Sequence, residues 1–126
     1  MSEKPVKGRC YHWREIEDLV GYEPCGYLTQ IGQKIACGCF RKIFNPDAPS
    51  IVLPGGNDPQ WLAKAQLFQQ QKTSVPVFVN TEGLEWEFAG QFRVKDLTQE
   101  PKEIQIQRDR YPKLKDIGAV LFLIEE

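Results

Sequence analysis

The stretch from Val75 to Val94, VPVFVNTEGLEWEFAGQFRV, limits the fold more than any other part of this chain. Leu84, Trp86, Phe88, Phe92 and Val94 occupy alternate positions, with Glu85, Glu87, Gln91 and Arg93 between them. A period of two belongs to strands, so the segment is expected to bury one face and wet the other. Gly90 takes an inward slot, and a glycine inside a strand marks a bulge, a sharp bend or a close backbone approach. Val75, Val77 and Val79 also alternate, with Pro76 near the start. Proline cannot donate to a ladder, so that strand begins there or runs along an edge. Asn80-Thr81-Glu82-Gly83 are turn residues between the two patterns, which predicts a long, strongly bent hairpin forming the wall of a small barrel.

The rest of the chain supplies what packs on that hairpin. Tyr11 to Val20 reads as a short helix with Trp13, Ile16 and Val20 on one side and Gly21 as its stop. Ile31-Gly32-Gln33 reads as a turn before a strand of small residues from Lys34 to Phe40. Pro46 and Pro49 stiffen the loop that follows. Ile51-Val52-Leu53 is a short strand ending in Pro54-Gly55-Gly56-Asn57. Asp58 and Pro59 then open the clearest helix, with Trp61, Leu62, Ala65 and Phe68 as its stripe. Ile104 and Ile106 suggest a further strand, Arg108 to Asp116 a charged loop or short helical turn, and Ile117 to Ile124 a strand covered on both faces. The expectation is a single α+β domain over 1–126, with a flexible arm at 1–9, two short helices and a bent mixed sheet closing towards a β-barrel.

At 126 residues, 41% hydrophobic and 26% charged, the composition is that of one folded domain. The net charge of −1 provides no global basic field, so any nucleic-acid binding would rest on a local patch. No stretch has the length of a membrane span, and MSEKPVKGRC lacks the apolar run of a secretory signal. The expected location is the cytoplasm, with no membrane partner.

Three chemistries can be weighed on the residues. Cys10-x-His12 and Cys37-x-Cys39 are zinc-ligand types, but each pair is spaced by one residue and Cys25 has no role. Buried free cysteines are the plainer reading, so no metal and no cofactor are expected. A Cys–His nucleophile would need contact that Cys10 and His12 do not make along a chain. Glu85 with Glu87 is a solvated strand face, and neither a P-loop nor a dinucleotide-binding glycine pattern is present. No enzyme is expected. The loop Ile51–Trp61 remains. Its glycines admit a ligand to backbone N–H groups at a helix start, with Asn57 and Asp58 offering hydrogen bonds and Trp86, Phe88, Tyr27 or Phe40 offering a stacking face.

SIVLPGG, PVFV, EWEFAGQFRV and the apolar end AVLFLIEE together resemble the prokaryotic relatives of the SET- and RING-associated domain, which are PUA-like barrels. The resemblance covers roughly residues 27 to 125. It implies a non-enzymatic domain that binds duplex DNA and reads a modified base by flipping it from the stack. Asp58 would match the acidic residue that follows the Gly-Gly turn in that family, whereas Asn57 stands where an aromatic is expected. Contacts are assigned on this reading to Arg41, Lys42, Asn45, Gly55, Gly56, Asn57, Asp58, Trp86 and Phe88, and a separate nuclease or regulatory partner would be recruited. Arg9, Arg14, Lys34 and the group Arg108, Arg110, Lys113 and Lys115 are further cation candidates. The alternatives are an RNA-binding PUA-like module, a small protein-interaction or regulatory domain, and a small-molecule enzyme using the same loop.

Overall fold

The alternation from Trp86 to Val94 makes one strand but not one face. In the computed structural model, which describes residues 4–24, 27–56, 58–114 and 116–126, strand β5 (Val75–Asn80) pairs antiparallel with the long strand β6 (Glu85–Thr98). Val77 lies opposite Gly90 and Phe78 opposite Phe88, so Ala89 is an extra residue. A bulge reverses the faces of everything beyond it. Trp86 and Phe88 therefore join one buried cluster while Phe92 joins another. Gly90 has φ +130°, and a Cβ there would lie 2.6 Å from Glu125 Oε2. The glycine thus marks a bulge, one of the three features that the sequence leaves open there. Leu84 departs from the expected inward stripe. It sits in the turn, 75% exposed, because buried Asn80 fixes that turn by donating from Nδ2 to the carbonyls of Gly83 and Glu85 at 3.1 and 2.8 Å.

Around this hairpin the chain runs β1 (Cys10–His12), α1 (Trp13–Val20), β2 (Leu28–Ile31), β3 (Lys34–Arg41), β4 (Ile51–Val52) and α2 (Pro59–Gln71) before β5 and β6, then α3 (Pro101–Arg110) and β7 (Val120–Glu125). The strands form one mixed sheet in the order β2-β3-β5-β6-β7-β4, with β1 added on β6. Only β3 and β5 are parallel. Two more bulges, at Ala36 in β3 and Lys95 in β6, follow from the register shifts against β2 and β7. Bulges bend strands and increase twist, and here they curl the sheet towards a barrel, as the sequence leads one to expect.

The concave side holds Leu28, Ile35, Phe40, Val77, Phe92, Leu121 and Leu123, with Ala65 and Phe68 of α2 packed among them. Asp58 caps α2 by accepting the Gln60 amide at 2.9 Å, and Pro59 takes the first helical position. The opposite face holds Tyr11, Ile16, Cys37, Cys39, Phe78, Trp86 and Phe88 beneath α1. That helix is shorter than expected, because Tyr11 belongs to β1. His12 accepts the Arg14 amide and Glu15 accepts the His12 amide, a capping box.

The stretch with Ile104 and Ile106 is a helix rather than the expected strand, giving three helices. Pro101 opens it, Glu103 lies in its first turn, and Arg108 and Arg110 lie in its last, which suits the helix dipole. The inward positions follow helical spacing, partly buried Ile104 then buried Gln107, and Ile106 is 45% exposed. This helix covers Leu53, Ile117 and Val120 from outside. Strand β7 consequently buries residues of both parities, Leu121 and Leu123 inward and Val120 outward. The segment expected as a loose arm is bonded to β6 from Gly8 onward, and Val6 is tied to Tyr11 of β1. Gly8 donates to the Phe88 carbonyl at 2.9 Å, Phe88 donates to Arg9 at 3.0 Å, and Val6 donates to the Tyr11 hydroxyl at 2.8 Å. No helix among the described residues is long and apolar enough to cross a membrane.

Candidate nucleic-acid interface

The Gly-Gly loop is held by its own chain. Gly55 bridges Ile117. The Gly56 amide donates to the Asp116 carbonyl at 3.2 Å and to Asp116 Oδ1 at 2.9 Å. Gly118 donates to the Pro54 carbonyl at 2.9 Å. The close approach that the glycines permit is therefore backbone against backbone, since Gly56 Cα lies 2.5 Å from where a Cβ on Gly118 would stand. Beside this contact opens a cavity of about 360 Å³, lined by Phe44, Leu53, Gly55, Trp61, Lys113, Leu114, Asp116 and Ile117. Trp61 stacks on Tyr27 with centroids 4.8 Å apart and planes 14° apart, and the Tyr27 hydroxyl donates to the Trp61 carbonyl at 3.0 Å. Stacking fixes the ring while leaving it 38% exposed, and Phe44 is 60% exposed. Asp116 spends Oδ1 on the Gly56 amide, which leaves Oδ2 beside Gly55. The cavity thus combines two aromatic rings, an apolar floor, one carboxylate acceptor and one cation.

The residues expected to form this pocket are distributed differently. Gly55 lines it and Gly56 holds its rim. Asp58 caps α2 and is not among the lining residues. Asn57 lies outside the described residues. Trp86 and Phe88, expected as the apolar wall, face α1 because the Ala89 bulge turns them there. Trp86 is 3% exposed, packed on Trp13 at 5.0 Å, and Phe88 is packed on Phe78 at 5.2 Å. Asn45 is buried and structural, its Oδ1 accepting the Leu53 amide at 2.8 Å. The carboxylate and the part-exposed aromatic ring beside the Gly-Gly loop are those of Asp116 and Trp61.

Trp61 looks like one more position of the α2 stripe, yet it lies in the first turn of that helix and stays part-exposed. Phe44 carries a sequence signal, a large apolar residue inside a proline-stiffened loop. A carboxylate 60 residues from the glycines carries none.

Cations divide by partner. Arg110 pairs with Asp47 at 3.0 Å, and Arg108 donates to the Ile117 carbonyl at 3.3 Å. Arg9 lies over Tyr11. Lys115 lies outside the described residues. Arg41, Lys42 and Lys113 make no ion pair among the described residues. Arg41 instead lies over the Trp86 ring at 5.4 Å. Phe44 and Asn45 donate to the Arg41 carbonyl at 3.0 and 2.9 Å, so Arg41, Lys42 and Phe44 share one turn, in which Phe44 lines the aromatic cavity.

The zinc-type residues do not converge. Cys10 and His12 are exposed on β1, Cys37 and Cys39 are buried, and no group of three or more His, Cys, Asp or Glu among the described residues is placed to hold an ion. The Cys37 thiol is drawn down to about 7 by a hydrogen bond with Cys39, and further by Thr29 and Tyr22, against desolvation. Burial raises Tyr22 well above the ordinary phenol value, with Cys37 adding to the effect.

Asp58 as a cap has a testable consequence. Asparagine caps helices about as well as aspartate, so Asp58→Asn is expected to change stability and binding by less than about 0.5 kcal/mol. Thermal melts and binding titrations check both. A selective loss of binding would return Asp58 to the ligand.

Comparison with protein-family models, with curated proteins and with solved structures finds no match.

Proposed function

We propose that this domain is a non-enzymatic nucleic-acid-binding module of the PUA-like kind, taking a modified base from duplex DNA into the cavity beside the Gly-Gly loop. The observation that carries the reading is the cavity's make-up. A part-exposed Trp61, held by its stack on Tyr27, stands with Phe44 in a space of about 360 Å³ that Lys113 also lines, and Arg41 and Lys42 sit in the turn that carries Phe44; none of the three cations makes an ion pair among the described residues. Stacking on an aromatic face tolerates any base. Asp116 Oδ2, which accepts no hydrogen bond among the described residues, would accept from an amino or imino edge and supply the selective part. The cations bind phosphates without regard to sequence. A base reaches such a cavity only by leaving the stack. The titratable side chains lining it are Lys113 and Asp116, which suit recognition and provide no nucleophile–base pair.

Mobility-shift titrations of duplexes with and without modified cytosine, and of an RNA duplex, test the reading. Retention of the modified DNA at the lowest protein concentration is expected. Preference for RNA would transfer the site to the RNA-binding alternative, and indifference to every nucleic acid at low salt would overturn the proposal. The electrostatic part has its own measure. Replacing both Arg41 and Lys42 with alanine is expected to lower the slope of log K against log salt by about two and to weaken all sequences alike. An unchanged slope would remove both residues from the interface.

A further inference from the structure

A second cavity, of about 380 Å³, opens between the start of α1 and the β5–β6 turn, lined by His12, Trp13, Arg41, Gly83, Leu84 and Trp86. Its walls are unusual for a surface. Trp86 is buried beneath two covers, the Trp13 ring at 5.0 Å and the Arg41 guanidinium at 5.4 Å. Trp13 is only half-buried, and Leu84 projects from the turn with 75% of its surface in water. The His12 imidazole accepts the Arg14 amide through Nδ1, which assigns the proton of the neutral ring to Nε2, a donor with no partner among the described residues. The space therefore has apolar flanks, an aromatic face, one N–H donor and a guanidinium with no carboxylate partner among the described residues. Those features suit a flat group attached to an anion.

We infer that this cavity is a second nucleotide subsite, taking a base against Trp13 and Leu84 while Arg41 and His12 hold its phosphate. The inference rests on the nucleic-acid reading of the first cavity and extends it to a further stretch of the same strand. Arg41 lines this cavity and Phe44 lines the other. The bond from the Phe44 amide to the Arg41 carbonyl, 3.0 Å, places their Cα atoms within about 7 Å of each other. The two cavities thus flank one turn, and a single strand crossing that turn reaches both. Lys42 belongs to the same turn, and its side chain lines a separate cavity with Thr81 and Glu87.

The tryptophans allow the two subsites to be read apart. The chain has three, and in a Trp61→Phe background the remaining two, Trp13 and Trp86, both line the second cavity. A labelled short oligothymidylate is titrated against this full-length protein, following anisotropy of the label and tryptophan emission together. The expected result is saturable quenching that tracks the anisotropy. His12→Asn, which keeps a helix cap, and Leu84→Ser, at an exposed turn, are each expected to weaken binding about tenfold, the scale of one stacked base or one phosphate contact. Circular dichroism melts confirm that both variants fold. Binding with unchanged emission, or with full affinity in both variants, would overturn the second subsite and leave the first cavity's reading standing. No anisotropy change with any oligonucleotide or duplex would overturn both.

Discussion

Trp61→Ala is expected to lower affinity for a modified-base duplex by about tenfold or more, because one base–aromatic stack is worth about 1–3 kcal/mol. The ring is part-exposed, and its stacking on Tyr27 (4.8 Å between centroids) holds it in place. Losing that pair costs stability on the order of 1 kcal/mol. The anchor beneath it should survive, since the Tyr27 hydroxyl donates to the Trp61 carbonyl rather than to its side chain. Trp61→Phe keeps a π-face and is expected to retain most of the affinity. Anisotropy titrations at one fixed salt concentration, beside thermal melts, separate the binding loss from the folding loss. Wild-type affinity in Trp61→Ala would take the ring out of the interface.

Gly118→Ala is expected to destabilise the fold by about 1–3 kcal/mol, the usual cost of forcing atoms into a packed site. The added methyl would lie 2.5 Å from Gly56 Cα and 2.9 Å from Gly56 N. These are backbone atoms and cannot rotate away. Both segments are also pinned, by the Gly56–Asp116 and Gly118–Pro54 hydrogen bonds and the Gly55–Ile117 bridge. Relief therefore requires the Gly-Gly loop to move, which shifts Gly55 and Asp116 at the cavity wall. The expected melting temperature falls by roughly 4 °C per kcal/mol, and binding weakens beyond what the lost folded fraction explains. An unchanged melting temperature would show that the loop yields freely and would weaken its assignment as a rigid rim.

The sequence made some elements plain because local chemistry decides them. Asp58 and Pro59 start α2 as an N-cap and a first-turn proline, and Gly32 turns with φ +61° between β2 and β3. The β5–β6 hairpin follows from its valines, its aromatics and its turn residues. The inside-outside assignment failed because it depends on counting residues between strands. Reading from Trp86 to Val94 in steps of two assumes an unbroken ladder, and the Ala89 bulge divides Trp86 and Phe88 from Phe92. The Gly90 signal was present, but a glycine does not state which neighbour is the extra one. The same count misplaced Leu84, whose turn is set by Asn80. Ile104 and Ile106 imitated a strand since two isoleucines two apart fit either period, and Pro101 with the charges at both ends decided for a helix. The pocket was half legible. Its glycines stood out, while Asp116 and Lys113 reach them only through a fold that returns the chain late. Gly118, inside an apolar run, was a sign of close approach that the strand pattern hid.

Strand β7 lies between β6 and β4, with Leu121 and Leu123 in the main core. The last strand in order is thus an interior one, and this has a consequence during synthesis. At about 5–20 residues per second, every other element leaves the ribosome before β7 does. In that interval β4 has no partner in the sheet, and the far edge of β6 offers a row of unpaired backbone groups. Such an edge is a template for pairing with other chains. The half-made domain is therefore most prone to aggregation until β7 docks between β6 and β4, and a chaperone that shields the β6 edge would act in that window.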